Sequence, residues 1–271
     1  MKLNKLNPLI LAAAAVLAGH ANAATIASAN FTGLTASGAT GVAISGTAGV
    51  NGFTWSRLAP NFTYSTPNVN MQSGTANALK ATIAGDTFQG MLGTMPSTTI
   101  NIGQTLTLSF IGQYTESPAN NFAGLRFGFV NSGDLDNAFG MTVGTGGSTS
   151  RGIIRDTDSI ENSPLTGATS GITSVAGGAT VASITTSVFT ASFAITRTAT
   201  DTYSYFGDVN GSTLTATGVV GGFDNYNAIT IRNGSNTADF QIDNVSVTLI
   251  PEPSTALLGG LGLLALLRRR S

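Results

Sequence analysis

The chain contains no cysteine. Disulfides, thiolate metal sites, cysteine nucleophiles and cysteine-linked lipid anchors are therefore excluded. There is a single histidine, His20, and it lies inside an N-terminal segment with the features of a secretion signal. Without that segment the chain has neither Cys nor His, which removes Ser-His-Asp triads and His-ligated zinc, copper or haem from consideration. Charge is also sparse, at 9% of residues, and the residues that helices favour (Glu, Lys, Leu) are scarce away from the termini. What is plentiful is Gly, at 34 residues, together with Ser and Thr, a composition of strands and turns.

At 271 residues the chain exceeds the common single-domain length, but all-β sandwiches often reach about 200 to 250 residues as one unit, so one domain between processed ends is expected. The formal net charge of -1 averages over unlike parts. Lys2, Lys5, Arg268, Arg269 and Arg270 sit in the terminal segments, so residues 24–250 keep seven basic against twelve acidic residues, a net of -5. A mildly acidic surface repels phosphate backbones, and no nucleic-acid partner is expected.

Residues 1–23 place Lys2 and Lys5 before an apolar stretch from Leu9 to Ala18, followed by Ala21-Asn22-Ala23. Positive, apolar, then small-x-small is the order of a secretory signal peptide, with Ala21 and Ala23 marking cleavage after Ala23. A retained anchor would need about 20 apolar residues, more than this run supplies.

The other end reads Pro251-Glu252-Pro253-Ser254-Thr255, an apolar run from Ala256 to Leu267, then Arg268, Arg269, Arg270 and Ser271. Two prolines stop a preceding strand and stiffen a short spacer. An apolar helix then enters a bilayer, and three arginines, costly to translocate, stay on the cytoplasmic side. By length alone the run also suits a core helix, but snorkelling arginines and local thinning extend its reach, and an arginine cluster at the extreme terminus of a β protein favours the membrane. This arrangement resembles the PEP-CTERM sorting domain of Gram-negative exopolysaccharide-producing bacteria. The resemblance implies passage through the export machinery, at least transient residence in the inner membrane, and handling by an exosortase near Pro251-Glu252-Pro253. It supplies an address and no activity.

Between the ends, apolar residues recur at every second position, as a half-buried sheet requires. Leu106, Leu108 and Phe110 share one face, as do Leu125, Phe127 and Phe129, then Phe189, Ala191, Phe193 and Ile195, then the pairs Tyr203 and Tyr205, Leu214 and Ala216, Ile229 and Ile231. No helical period of ten or more residues interrupts residues 24–250. Asn210-Gly211 predicts a hairpin turn, and Gly146-Gly147 and Gly177-Gly178 predict loops. In the closing strand Phe240 and Ile242 have one parity and Val245, Val247 and Leu249 the other, so a bulge is expected at Asp243-Asn244. This closing strand, with the Leu125–Ser132 stretch, resembles bacterial jelly-roll domains, carbohydrate-binding modules and concanavalin-like lectins among them. The expected fold is an all-β, jelly-roll-like β-sandwich over residues 24–250, flanked by the signal peptide (1–23) and a C-terminal sorting and membrane segment (251–271) containing the apolar helix. Residues 24–97 alternate more weakly, and either first strands with long loops or a low-complexity arm fits them.

Hydrolysis without His or Cys would rest on carboxylates, yet residues 24–250 hold only two glutamates, Glu116 and Glu161, in loop-like sequence. No catalytic residue is assigned, and a carboxylate-dependent glycosidase or lyase is the least favoured reading. No cofactor is required. A structural calcium would suit Asp134, Asp136 and Asn137 as one cluster or Asp156 and Asp158 as another, with Asp243 and Asn244 adding ligands at the bulge; alternating acids in a loop are more often solvated turn residues. Sugar stacking would fall to Trp55, Tyr64, Tyr114 and Tyr226, all in or beside loop-like sequence, where packing in the core or at its rim is the competing use. The expectation is an exported, non-enzymatic component of the cell surface or extracellular matrix, with exopolysaccharide binding as the alternative.

Overall fold

The computed structural model describes residues 23–31, 50–57, 62–65, 78–83, 89–114, 124–132, 134–144, 151–156, 172–177, 188–220, 224–233 and 240–251. Residues 1–22 of the signal peptide, almost all of the C-terminal segment and both expected glycine loops, apart from Gly177, lie outside these residues. The described residues form sixteen strands and no helix: β1 (Ala24–Ala29), β2 (Val50–Asn51), β3 (Thr54–Arg57), β4 (Phe62–Ser65), β5 (Leu79–Ile83), β6 (Gln89–Thr99), β7 (Thr105–Tyr114), β8 (Gly124–Asn131), β9 (Asp134–Gly144), β10 (Arg151–Asp156), β11 (Ile172–Gly177), β12 (Phe189–Ala199), β13 (Thr202–Val209), β14 (Ser212–Val220), β15 (Asn225–Asn233) and β16 (Phe240–Ile250). No helix among the described residues is long and apolar enough to cross a membrane.

Two antiparallel sheets stack. The first runs β14-β13-β12-β7-β16-β1-β2, with β5 pairing part of β16 and β4 pairing β5; the second runs β11-β10-β9-β8-β15-β6-β3. The chain crosses between sheets at β2 to β3, β3 to β4, β5 to β6, β6 to β7, β7 to β8, β11 to β12, β14 to β15 and β15 to β16. The last two strands insert late: β15 between β6 and β8, and β16 between β7 and β1. Filling interior positions from the end of the chain is the jelly-roll-like connectivity that leaves the closing strand central in its sheet.

The alternating residues supply the core. Leu106, Leu108, Phe110, Phe189, Phe193, Ile195, Tyr203 and Tyr205 of one sheet meet Leu125, Phe127, Phe129, Phe139, Met141, Ile229 and Ile231 of the other, all buried. Aromatic rings bridge the layers: Phe139 stacks on Tyr205 at 5.0 Å and 12°, and Phe110 meets Phe127 edge-on at 5.1 Å. Such geometry satisfies the ring quadrupoles as well as removing area from water.

Asn210 (φ 51°) and Gly211 (φ 78°) join β13 to β14, and two consecutive positive φ values are what a type I′ hairpin turn requires. The β16 ladder with β7 shifts register between Asp243 and Ser246, with Asn244 at φ 49°, so the expected bulge is present and brings Ile242, Val245 and Val247 all into the core. Residues 24–97 contribute β1 to β5 and most of β6, and β6 is central enough to pair both β15 and β3. Its alternation is hard to read because small residues such as Gly93 occupy inward positions: a Cβ there would meet Ile229, Phe53 and Trp55 within 3.2 Å.

Candidate functional site

The closing strand carries its sequel directly out of the middle of a sheet. Leu249 pairs with Leu106 of β7 on one side and with Ala24 of β1 on the other, and Ile250 pairs with Thr105. Pro251 follows at once; lacking an N–H, it cannot extend the ladder. The Pro251-Glu252-Pro253 tripeptide therefore begins where hydrogen bonding ends, with no flexible linker before it. Glu252, Pro253 and the arginines Arg268, Arg269 and Arg270 lie outside the described residues. The pairing of Ala24 with Leu249 also brings the start of β1 alongside the end of β16, so both chain junctions leave from one end of the sandwich. Ala23, Ala24 and Thr25 are exposed there. Ala21 lies outside the described residues.

That end is braced by a polar cluster that no sequence pattern announced. The Arg197 guanidinium donates from Nη1 to the carbonyl of Ile100 at 3.1 Å and lies 3.1 Å from an Asp224 oxygen. Tyr203 donates its hydroxyl proton to the other Asp224 oxygen at 2.5 Å. Backbone bonds complete the brace, from Ile100 N to Asp224 O at 2.7 Å and from Gly103 N to Arg197 O at 2.6 Å. The β6–β7 loop, the end of β12 and the segment entering β15 are thus tied together.

Burial, then the hydrogen bond to Asp224 and its charge, push the Tyr203 phenol well above its usual range. A phenol held protonated by the fold contributes stability that is fully present below the unfolded value of about 10 and is lost as pH rises beyond it. The urea midpoint should therefore hold through neutral pH and fall above about pH 10, and Tyr203→Phe should flatten that fall while costing about 1 kcal/mol at pH 7. An equally steep alkaline fall in Tyr203→Phe would place the titration elsewhere.

The aromatic candidates do not form a surface platform. Trp55 and Tyr226 are each 0% exposed and stand on strands β3 and β15, not on loops. Trp55 sits 5.6 Å from Phe31 and 5.0 Å from Phe53, and Tyr226 sits 5.6 Å from Phe129. The expectation that these two present stacking faces is corrected: a domain with few aromatics uses its large ones to fill the space between sheets. Tyr64 lies on β4 and Tyr114 ends β7, and their side chains lie outside what is described.

The acidic candidates are likewise on strands rather than in loops. Asp134 opens β9, Asp136 follows on it, and Asp156 ends β10 opposite Ala138, so the backbone sets the end of β10 beside the start of β9. Asp158 lies outside the described residues. Among the described residues no group of three or more acidic side chains is placed to hold a metal ion. Asp243 is buried, and its carboxylate accepts the Asn244 N–H at 2.7 Å.

A hollow of about 320 Å³ opens beside this bulge, lined by Ser28, Asn30, Asn51, Asn244 and Ser246 with Ala29 and Val245. Its polar lining is uncharged, made of amides and hydroxyls. The parity change singled out in the sequence is the signal that leads to it.

The family model for the PEP-CTERM protein-sorting motif matches residues 249–271, beginning at the penultimate residue of β16. The chain is accordingly an exported protein carrying that motif. No curated protein matches it in sequence. Among solved structures, it is similar to an alginate lyase, Aly36B, crystallised as a mutant with alginate trisaccharide, at 14% identity and a TM-score of 0.49, covering 83% of this chain and 98% of that one. It is also similar to the carbohydrate recognition domain of Emp47p, at 9% identity and a TM-score of 0.48 over 86% and 98% of the two chains. A third likeness is to a carbohydrate esterase from the Shiga toxin-encoding bacteriophage phi24B, at 10% identity and a TM-score of 0.47 over 84% and 99%. Likenesses at this level carry no activity to this chain.

Proposed function

We propose that this protein is a non-enzymatic component of the cell surface or extracellular matrix, held in the inner membrane by residues 256–267 until an exosortase acts near Pro251-Glu252-Pro253. The observation that carries the reading is the sorting motif itself, joined without a linker to the closing strand of the sandwich. Cleavage of residues 1–23 by the export machinery is supported by exposed Ala23 and Ala24 at the start of β1. A non-catalytic role is supported by a chain that has neither Cys nor His after residue 20 and only Glu116 and Glu161 as glutamates between the two ends. A glycosidase of the usual kind would need two acids facing across a cleft, about 5 to 10 Å apart.

A second reading, a module that binds exopolysaccharide, is favoured by the hollow at the β16 bulge. Amide and hydroxyl groups of the Ser28, Asn51, Asn244 and Ser246 kind match sugar hydroxyls, and an uncharged lining suits neutral glycans. Retention of neutral glycans by the processed domain on an array would sustain this reading; no retention leaves the structural role.

The test of the main proposal is the intact mass of the protein recovered from the surface or medium of its host, with fractionation in parallel. The expected mass lacks residues 1–23 and the arginine tail. A mass that keeps the tail, with the protein in the inner membrane, would make it a permanently anchored ectodomain and overturn the processing step.

A further inference from the structure

The exposed large hydrophobic side chains among the described residues are Ile102, Phe206 and Ile250. Single exposed apolar residues need no explanation, but two of these three occur at the same end of the sandwich. Ile250 is the last residue of β16 and is 41% exposed; its register partner is Thr105, three residues after Ile102, which is 49% exposed at the tip of the β6–β7 loop. This is the end from which the sorting segment leaves, and the end at which β1 begins.

We infer that this end of the sandwich is a bilayer-seating surface, with Ile102 and Ile250 entering the lipid interface while the sorting segment is still attached. The inference rests on the reading that residues 256–267 enter a membrane. Three observations support it. Only residues 251–255 separate the folded strand from the apolar run, and a fully extended spacer of that length spans at most about 18 Å. The polar cluster of Arg197, Asp224 and Tyr203 fixes the β6–β7 loop on the backbone of neighbouring strands, so Ile102 is presented on a rigid support. The charged groups at this end also specify the lipid: Arg197 is matched by Asp224, leaving exposed Asp201 with a negative charge, which favours a zwitterionic surface over an anionic one.

The absence of native cysteine makes the test clean. Ile102→Cys, and Asn210→Cys in the exposed hairpin turn at the opposite end of β13, are each labelled with an environment-sensitive fluorophore in the chain that retains residues 249–271. Each is reconstituted in phosphatidylcholine vesicles carrying a lipid-borne quencher, and flotation is compared with a chain ending at Ile250. The expected result is flotation that requires residues 251–271, with the label at 102 quenched several-fold more than at 210, and less so when phosphatidylglycerol replaces the zwitterionic lipid. Flotation with equal quenching at 102 and 210 would overturn the seating surface and leave the membrane tail standing. Equal flotation of the chain ending at Ile250, with the label at 102 the more quenched, would overturn the dependence on the tail and leave the seating surface standing; no flotation by either chain would overturn the tail reading and the seating surface with it.

Discussion

Gly128→Ala should destabilise the fold by about 3 kcal/mol or more, the upper range for forcing volume into a packed element. Gly128 of β8 pairs directly with Gly140 of β9. A Cβ on Gly128 would lie 2.1 Å from the carbonyl oxygen of Phe139 and 2.4 Å from the Gly140 Cα. Both obstacles are backbone, so no rotamer change relieves them and the two strands must part. Parting them disturbs Phe127, Phe129 and Phe139, which fill the core on either side of the pair. Gly207 provides the contrast. A Cβ there meets the Met141 sulfur at 2.5 Å, but a thioether on a flexible chain swings aside. Urea midpoints followed by circular dichroism should therefore rank Gly128→Ala far below Gly207→Ala, and equal midpoints would show that β8 and β9 are not closely apposed.

Trp55→Ala should cost about 3–5 kcal/mol, the range for truncating a buried large aromatic. Trp55 is fully buried between Phe31, Phe53 and the inward face of Gly93, so its removal opens a cavity that three rigid neighbours cannot refill. Trp55→Phe should cost much less, about 1–2 kcal/mol, because it keeps most of the ring and removes an indole N–H. That N–H is buried without an acceptor in the structure. The two substitutions separate core packing from sugar stacking. Packing predicts a large loss of stability for alanine and a small one for phenylalanine. Unchanged stability with loss of glycan retention would instead return Trp55 to the surface.

The candidate residues show where sequence reading succeeds and where it stops. Tyr203 and Tyr205 were legible as inward-facing from their spacing alone, because a strand with one wet face writes its burial into a period of two. Trp55 was not legible in that way: its strand is four residues long and its flanks are rich in Gly and Asn. Composition alone leaves such a residue open to surface or core. Asp134 and Asp136 read as loop residues because acids are common in turns, yet β9 begins at Asp134. Pairing with β8 and β10 decided that, and such pairing depends on residues far away in the chain.

By itself the sequence determined that this protein is exported with a sorting motif at its C-terminus, that its domain is all-β, and that Asn210-Gly211 turns a hairpin and Asp243-Asn244 bulges a strand. Each of these is written in neighbouring residues: charge order and apolar run length, alternation, and the φ preferences of Asn and Gly. Only the tertiary structure decided that β16 occupies the centre of its sheet, that Ala24 and Leu249 lie side by side, that Arg197, Asp224 and Tyr203 meet, and that Ile102 and Ile250 share one end. Those are contacts between residues distant in the chain, where the free energy lies in pairing and burial across strands and leaves no local pattern to read.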